Sequence, residues 1–117
     1  MILWVIGAGG LFGSAICRVA RSRGDTLLTS HRIPWQDERA AEAHLRKDTR
    51  RLTDIVSASD QPWAIAWAAG SATTATTSEQ CTTELKAFRR WISAISESLP
   101  SDPRGTFFLT SSAGGVY

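Results

Sequence analysis

The chain has 117 residues, a formal net charge of +2, 43% hydrophobic residues and 21% charged residues. This composition is typical of one soluble globular domain, so we expect a single domain over residues 1–117. The small net charge argues against a nucleic-acid or membrane partner, and no apolar run approaches the ~20 residues that cross a bilayer. No basic region precedes the apolar N-terminal stretch, so we interpret it as a strand of a cytoplasmic protein rather than a secretion signal.

A predicted N-terminal strand is followed by a glycine-rich turn and an amphipathic helix. Residues 2–6 are apolar, the sequence Gly7-Ala-Gly-Gly-Leu-Phe-Gly13 follows, and the helical pattern covers residues 11–23. In such an arrangement free backbone N–H groups and the positive end of the helix dipole converge on an anion. We therefore predict that a dinucleotide lays its pyrophosphate over Gly9, Gly10, Leu11 and Phe12.

The three spaced glycines of this turn have separate predicted roles. Gly7 supplies dihedral angles closed to other residues, Gly10 lets the pyrophosphate approach the backbone, and Gly13 lets helix and strand pack closely. The spacing is G-x-x-G-x-x-G, because the commoner G-x-G-x-x-G would need a glycine where Phe12 stands. The alternative is an ordinary glycine-rich strand–helix turn in another kind of α/β protein.

Strand and helix patterns alternate along the rest of the chain. The later predicted strands cover residues 25–30, 63–69 and 106–110, and the later predicted helices cover residues 37–58 and 79–99. Residues 33–35 could add a short strand, although Pro34 confines it to a sheet edge. This order predicts an α/β fold with a doubly wound, Rossmann-like parallel sheet and right-handed crossovers.

The spacing of apolar residues predicts which face of each helix is buried. The predicted inward residues are Phe12, Ala15, Ile16, Val19 and Ala20 in the first helix, Ala41, Leu45, Leu52, Ile55 and Val56 in the second, and Cys81, Leu85, Phe88, Ile92, Ile95 and Leu99 in the third. Trp91 lies beside the last of these stripes. We interpret the charged run at residues 46–51 as a solvated face.

Three segments at predicted strand ends resemble the extended short-chain dehydrogenases, a family of NAD(P)-dependent nucleotide-sugar epimerases, dehydratases and reductases. The segments are Gly7-Ala-Gly-Gly-Leu-Phe-Gly13, Trp67-Ala-Ala-Gly70 and Ser111-Ser-Ala-Gly-Gly-Val-Tyr117. The resemblance implies a nicotinamide dinucleotide as cofactor, a nucleotide-activated sugar as substrate, and hydride transfer by an oxidoreductase, epimerase or dehydratase. It also assigns Ala68, Ala69 and Gly70 to the cofactor site.

The resemblance implies catalytic groups that this chain holds only in part. The family's Tyr-x-x-x-Lys pair is missing, because neither Lys47 nor Lys86 follows a tyrosine by four positions. In the family that pair lies after the Val-Tyr segment, so we interpret the chain as the inactive N-terminal part of a longer enzyme, truncated before the substrate-binding portion. The catalytic serine would be Ser112 in preference to Ser111. Alternatively, both hydroxyls only satisfy backbone groups.

The end of the second predicted strand bears on the choice of cofactor. NAD enzymes usually carry an acid there, whereas this chain has Ser30-His31-Arg32 and no acid before Asp37. Arg32 can pair bidentately with a 2′-phosphate, which a carboxylate would repel. NADP is therefore favoured over NAD, with Ser30, His31 and Arg32 in the site. Alternatively, Arg32 is a solvated loop residue, and Asp37 could contact the adenine.

The sequence also allows other functions for this fold, and it bears on the oligomeric state. A non-catalytic dinucleotide-sensing or protein-interaction module could use the same fold, whereas a flavin-binding domain has no obvious use for the alanine pair and double serine. The resemblance also implies that the helix at residues 79–99 pairs with its mate in a second subunit. Exposed apolar surface on the sheet and around Trp91 would favour such association, so we expect a homo-oligomer. Alternatively, Trp91 packs over Phe88 and the chain is a monomer.

Overall fold

A computed structural model of the chain describes residues 1–30, 32–34, 37–69, 78–99 and 104–109. Within these ranges four strands alternate with three helices. In chain order they are β1 (Ile2–Ile6), α1 (Leu11–Arg23), β2 (Thr26–Ser30), α2 (Glu38–Ser57), β3 (Trp63–Trp67), α3 (Ser78–Ser98) and β4 (Gly105–Leu109). The predicted order of elements is confirmed, and their boundaries differ from the predicted ones by two residues at most.

The four strands form one parallel sheet in the order β2-β1-β3-β4. Ile2 pairs with Thr26 of β2 on one side and with Trp63 of β3 on the other, and this register continues to Ile6. The chain therefore moves from β1 to one neighbour and then crosses back past β1 to the opposite neighbour. This is the doubly wound, Rossmann-like α/β arrangement that the sequence predicts.

Each face of the sheet has its own hydrophobic core. Trp4 and Ile6 of β1 pack in one cluster with residues of α2 and α3, whereas Leu3 and Val5 pack in a second cluster with residues of α1. Successive side chains of a strand point to opposite faces, so β1 supplies both cores. All residues of β1 and β3 are buried, as expected for interior strands with both faces covered.

The buried face of α1 differs from the predicted one. Gly13, Cys17 and Ala20 are its buried residues, whereas Phe12 is 53% exposed and Val19 is 59% exposed. The prediction that Phe12 and Val19 point inward is therefore wrong. Small residues at these helical spacings let the helix axis approach the sheet closely, and this rotation leaves the larger apolar side chains facing solvent.

The buried face of α3 also differs from the prediction, whereas the predicted face of α2 is confirmed. Leu85 is 47% exposed, while Trp91 is 1% exposed and packs against Trp67 with ring centroids 4.6 Å apart. Trp91 also meets Trp4 edge to face at 6.0 Å. Trp91 itself is therefore not exposed, because α3 turns its largest side chain towards the β1–β3 core, whereas Phe107, whose ring centroid lies 5.3 Å from that of Trp91, is partly exposed.

Three further observations complete the fold. Ile33 and Pro34 belong to no strand, and Ile33 is instead buried in the core beneath α2, while position 35 lies outside the described residues. β4 is an edge strand of the described sheet, and its Phe107 and Phe108 are 42% and 49% exposed. Among the helices in the described part of the chain, none combines the length and apolarity that a membrane crossing requires.

Candidate functional site

The glycine turn at residues 7–10 lies at the carboxyl ends of β1 and β3. α1 leaves this turn on one face of the sheet, whereas the segment after β3 leads to α3 on the other face. Open α/β sheets bind their ligands in the crevice at such a switch point. Of the predicted site residues, the structure describes Gly7, Gly9, Gly10, Leu11, Phe12, Gly13, Ser30, Arg32, Ala68 and Ala69.

Gly7 is required by its dihedral angle and by its neighbours. Its φ is +86°, in the left-handed region that L side chains rarely adopt. A Cβ at this position would lie 2.5 Å from the backbone nitrogen of Ala69 and 2.7 Å from the carbonyl carbon of Ala68. The turn therefore lies directly against the Ala68-Ala69 backbone, and only glycine permits this approach.

Gly13 is required by the contact between α1 and the turn. A Cβ on Gly13 would overlap the carbonyl oxygen of Gly7. The first turn of α1 therefore packs against the glycine turn through bare backbone. The predicted role of Gly13, close approach of helix and strand, agrees with this contact.

Gly10 is not required by the fold in this way. It is the N-cap of α1, with φ −78° and ψ 172°, an extended conformation open to any residue. A Cβ built on it would meet only the Gly7 carbonyl oxygen, at 3.6 Å, which is ordinary van der Waals contact. Within the described ranges, nothing packs against Gly10 closely enough to demand a glycine. In the described part of the chain, the space above Gly10 is open to an approaching ligand.

The N-terminus of α1 has free hydrogen-bond donors. No side chain in the described part of the chain caps it, and its first turn carries no acidic residue. The first bond into the helix runs from the Ser14 N–H to the Gly10 carbonyl, at 2.9 Å. The N–H groups of Leu11, Phe12 and Gly13 donate to no acceptor among the residues that the structure describes. Three free donors at the positive end of a helix suit an anion such as phosphate.

The N-terminus of α2, unlike that of α1, is capped by a side chain. Asp37 Oδ1 accepts a hydrogen bond from the Ala40 N–H at 3.1 Å, and Glu38 adds a carboxylate in the first turn. Asp37 therefore acts as an N-cap here, and its predicted contact with adenine stays a prediction. The contrast with α1 is one of sequence, because a capping side chain is present at residue 37 and absent at residue 10.

Ser30 joins the glycine turn to the core. Its carbonyl oxygen accepts hydrogen bonds from the N–H groups of Gly7 at 2.9 Å and Ala8 at 3.2 Å. Its hydroxyl accepts from Trp4 Nε1 at 2.7 Å and donates to Asp48 Oδ2. Ser30 is 1% exposed, so its side chain faces the core and not the crevice. The structure therefore gives Ser30 a supporting position beside the predicted site.

Arg32 lies just beyond the end of β2 in an unusual backbone conformation. Its φ is +56°, and it is the one non-glycine residue with positive φ in the described part of the chain. A left-handed arginine costs of order 1 kcal/mol, which the surrounding structure must offset. The side chain is exposed, and no described residue forms an ion pair with it. The guanidinium is therefore available to an anionic ligand.

Four predicted site residues lie outside the described residues. They are His31, Gly70, Ser111 and Ser112.

Trp4 and Asp48 support the turn through Ser30, and neither is among the site residues predicted from the sequence. Asp48 is 5% exposed, with His44 Nε2 3.3 Å from its Oδ2 and Arg51 Nη1 3.4 Å from its Oδ1. Asp48 is missed in the sequence because it lies within the charged run at residues 46–51, which is interpreted there as a solvated face. Its spacing from Leu45 and Leu52 places it on the apolar face of α2, and that signal could have found it.

Comparisons of the chain with protein-family models, with curated proteins and with solved structures find no match.

Proposed function

We propose that this chain binds a dinucleotide at the glycine turn, with the pyrophosphate over residues 9–12. The observation that carries the proposal is the difference among the three spaced glycines. The fold itself requires Gly7 and Gly13, whereas among the described residues Gly10 faces open space beside three N–H groups that have no acceptor. A glycine that the protein does not need for its own packing is explained by a ligand that approaches its backbone.

The proposed cofactor is NADP in preference to NAD. Arg32 follows the end of β2 with an exposed guanidinium, and the side chain of Ser30 at that end is uncharged and turned into the core. NAD sites usually have a carboxylate that accepts a hydrogen bond from the ribose 2′-hydroxyl, and the described residues at this strand end include none. Guanidinium groups pair strongly with phosphate oxygens, so a 2′-phosphate is the favoured ligand group.

The proposed wider function is the cofactor-binding portion of an oxidoreductase, epimerase or dehydratase that acts on a nucleotide-activated sugar. The resemblance of three segments to the extended short-chain dehydrogenases supports this proposal. In such an enzyme the chain's own residues would bind and orient the dinucleotide. The Tyr-x-x-x-Lys pair that moves the substrate proton is not present in these 117 residues. The chain alone should therefore bind the dinucleotide without catalysing the reaction.

Titration calorimetry with NADPH and NADH tests the proposal on three proteins. They are the unaltered chain, Gly10→Val, and a control at the opposite end of the same helix, Gly24→Asn. Gly24 has φ +76°, a Cβ built there would meet no atom within 4 Å, and asparagine tolerates this conformation. Valine is compatible with the extended backbone of Gly10 but fills the space above it.

We expect NADPH to bind the unaltered chain and Gly24→Asn, and to bind Gly10→Val at least ~30-fold more weakly, which corresponds to ~2 kcal/mol. Circular dichroism should show that all three proteins are folded. If the unaltered chain binds neither dinucleotide at millimolar concentration, the proposed function is wrong. Equal affinity in Gly10→Val would place the pyrophosphate elsewhere.

A further inference from the structure

Among the described residues, the glycine turn bonds to the end of β2 through the carbonyl group of Ser30. The Ser30 carbonyl oxygen accepts from the N–H groups of both Gly7 and Ala8, the two residues that begin the turn. The position of this oxygen, together with the Ala68-Ala69 backbone that lies against Gly7, therefore sets the path of the chain as it leaves β1. Any movement of Ser30 would displace the free N–H groups that follow in the turn and in α1.

The side chain of Ser30 is held on both sides by buried groups. Its hydroxyl accepts from Trp4 Nε1 on β1 and donates its one proton to Asp48 on α2. Trp4 and Ser30 are 0% and 1% exposed, and Asp48 is 5% exposed. A hydroxyl with one donor and one acceptor, both fixed in a packed core, has a single rotamer that satisfies both partners.

Burying the carboxylate of Asp48 costs free energy. A carboxylate removed from water needs compensating partners, and it has the Ser30 hydroxyl, His44 Nε2 and Arg51 Nη1. An apolar residue would fill the same position on α2 without needing any partner. The stabilisation of a core does not by itself explain such a residue.

We infer that Asp48 is a positioning residue, which acts through Ser30 to hold the glycine turn and its N–H groups in the geometry that receives an anion. The inference rests on the proposed function for the identity of that anion, a dinucleotide pyrophosphate. The path runs from the Asp48 carboxylate to the Ser30 hydroxyl, and from the Ser30 carbonyl to the N–H groups of Gly7 and Ala8. Asp48 itself touches no ligand.

Amide hydrogen exchange tests the inference without any ligand. The test variant is Asp48→Asn, which keeps the size of the side chain and removes its charge. The matched control is Thr49→Val on the same helix, because Thr49 is 1% exposed and donates only to the Leu45 carbonyl within its own helix, at 2.7 Å. Both variants disturb a buried hydrogen bond of α2, but only the first is connected to the turn.

In Asp48→Asn we expect the amides of Gly7 and Ala8 to exchange about tenfold faster relative to the core amides of Ile65 and Ala66, which is the factor expected when one hydrogen bond is weakened. In Thr49→Val all four amides should change by a common factor. If Gly7 and Ala8 accelerate only in proportion to the core amides in Asp48→Asn, Asp48 stabilises the fold as a whole and the inference is overturned.

A second variant and a second measurement separate this inference from the proposed function. Ser30→Ala combined with Trp4→Phe removes the hydroxyl together with its donor, and it should accelerate exchange at Gly7 and Ala8 in the same selective way. NADPH should bind Asp48→Asn about tenfold more weakly than Thr49→Val.

The outcomes separate the two claims. If the unaltered chain binds no dinucleotide, the proposed function fails, whereas selective exchange at Gly7 and Ala8 still supports the positioning role of Asp48. If NADPH binds both variants equally and exchange is unselective, positioning fails while the proposed function stands.

Discussion

Replacing Gly10 with aspartate should make the protein more stable and a poorer dinucleotide binder at the same time. Gly10 is the N-cap of α1 with φ −78° and no capping side chain, and a Cβ there meets no atom closer than 3.6 Å. Aspartate is among the preferred N-cap residues and fits this conformation without strain. Its carboxylate would accept from the N–H groups at the start of α1, where the proposed pyrophosphate is received.

The two effects have separate magnitudes. An aspartate N-cap improves on glycine by a few tenths of a kcal/mol, and a carboxylate near a helix N-terminus adds ~0.3–1 kcal/mol. The free energy of unfolding should therefore rise by about 0.5–1 kcal/mol, or ~2–5 °C in Tm. A carboxylate about 6 Å from a phosphate costs about 3 kcal/mol at an effective dielectric constant of about 20. NADPH affinity should therefore fall at least ~100-fold.

Urea unfolding followed by circular dichroism gives the stability, and titration calorimetry gives the affinity. Gly10→Asn is the control, because asparagine caps the helix equally well without charge. It should raise stability by a similar few tenths of a kcal/mol and lose clearly less affinity than Gly10→Asp. Equal losses of affinity in the two variants would refute the electrostatic part of the reasoning. A less stable Gly10→Asp would refute the assignment of an open N-cap.

The remaining predictions concern two glycines, one arginine and two tryptophans. Gly7→Ala should lower the free energy of unfolding by ~1–3 kcal/mol more than Gly24→Ala, because both have positive φ but only Gly7 abuts backbone atoms, and urea denaturation of the pair measures the difference. Arg32→Gly should raise the free energy of unfolding by ~0.5–1 kcal/mol, because it removes an arginine in the left-handed conformation. It should also weaken NADPH binding by ~1.5–3 kcal/mol and NADH binding much less, and equal losses in titration calorimetry would mean that Arg32 is only a solvated loop residue. Trp4→Phe should cost ~1–3 kcal/mol more than Trp91→Phe. Both indoles are buried, but Trp4 Nε1 donates to Ser30, whereas Trp91 Nε1 has no hydrogen-bond partner among the described residues. Similar losses of thermal stability in the two variants would contradict a stabilising role of the Trp4–Ser30 hydrogen bond.

The local pattern of the sequence was enough to predict the elements and their order. Strands such as Trp63–Trp67 are short continuous apolar runs, and a run of that kind must be covered on both faces, so the parallel sheet follows from the chain itself. The glycine turn was predictable for a similar reason, since the combination of strand, glycines and helix in that order has few structural solutions. The residues of α2 that face the core followed from their spacing alone.

The rotation of α1 and α3 about their axes was decided only by tertiary contacts. In α1 the small residues Gly13 and Cys17 face the turn and the sheet, although Phe12 and Val19 are more hydrophobic. In α3 the large ring of Trp91 fills the space between Trp4 and Trp67. Hydrophobicity along one helix predicts a stripe, but the shape of the surface opposite selects which edge of that stripe makes the contact.

The sequence predicts separate roles for the three spaced glycines, but it does not show what lies against each of them. Other backbone atoms lie against Gly7 and Gly13, whereas among the described residues the space at Gly10 is open. Asp48 is similar, because a carboxylate within a charged run becomes a buried partner of Ser30 only when α2 crosses the sheet beside β2. Residues far apart in the chain meet only after the sheet has formed, so the sequence determined the turn and the tertiary structure determined what holds it in position.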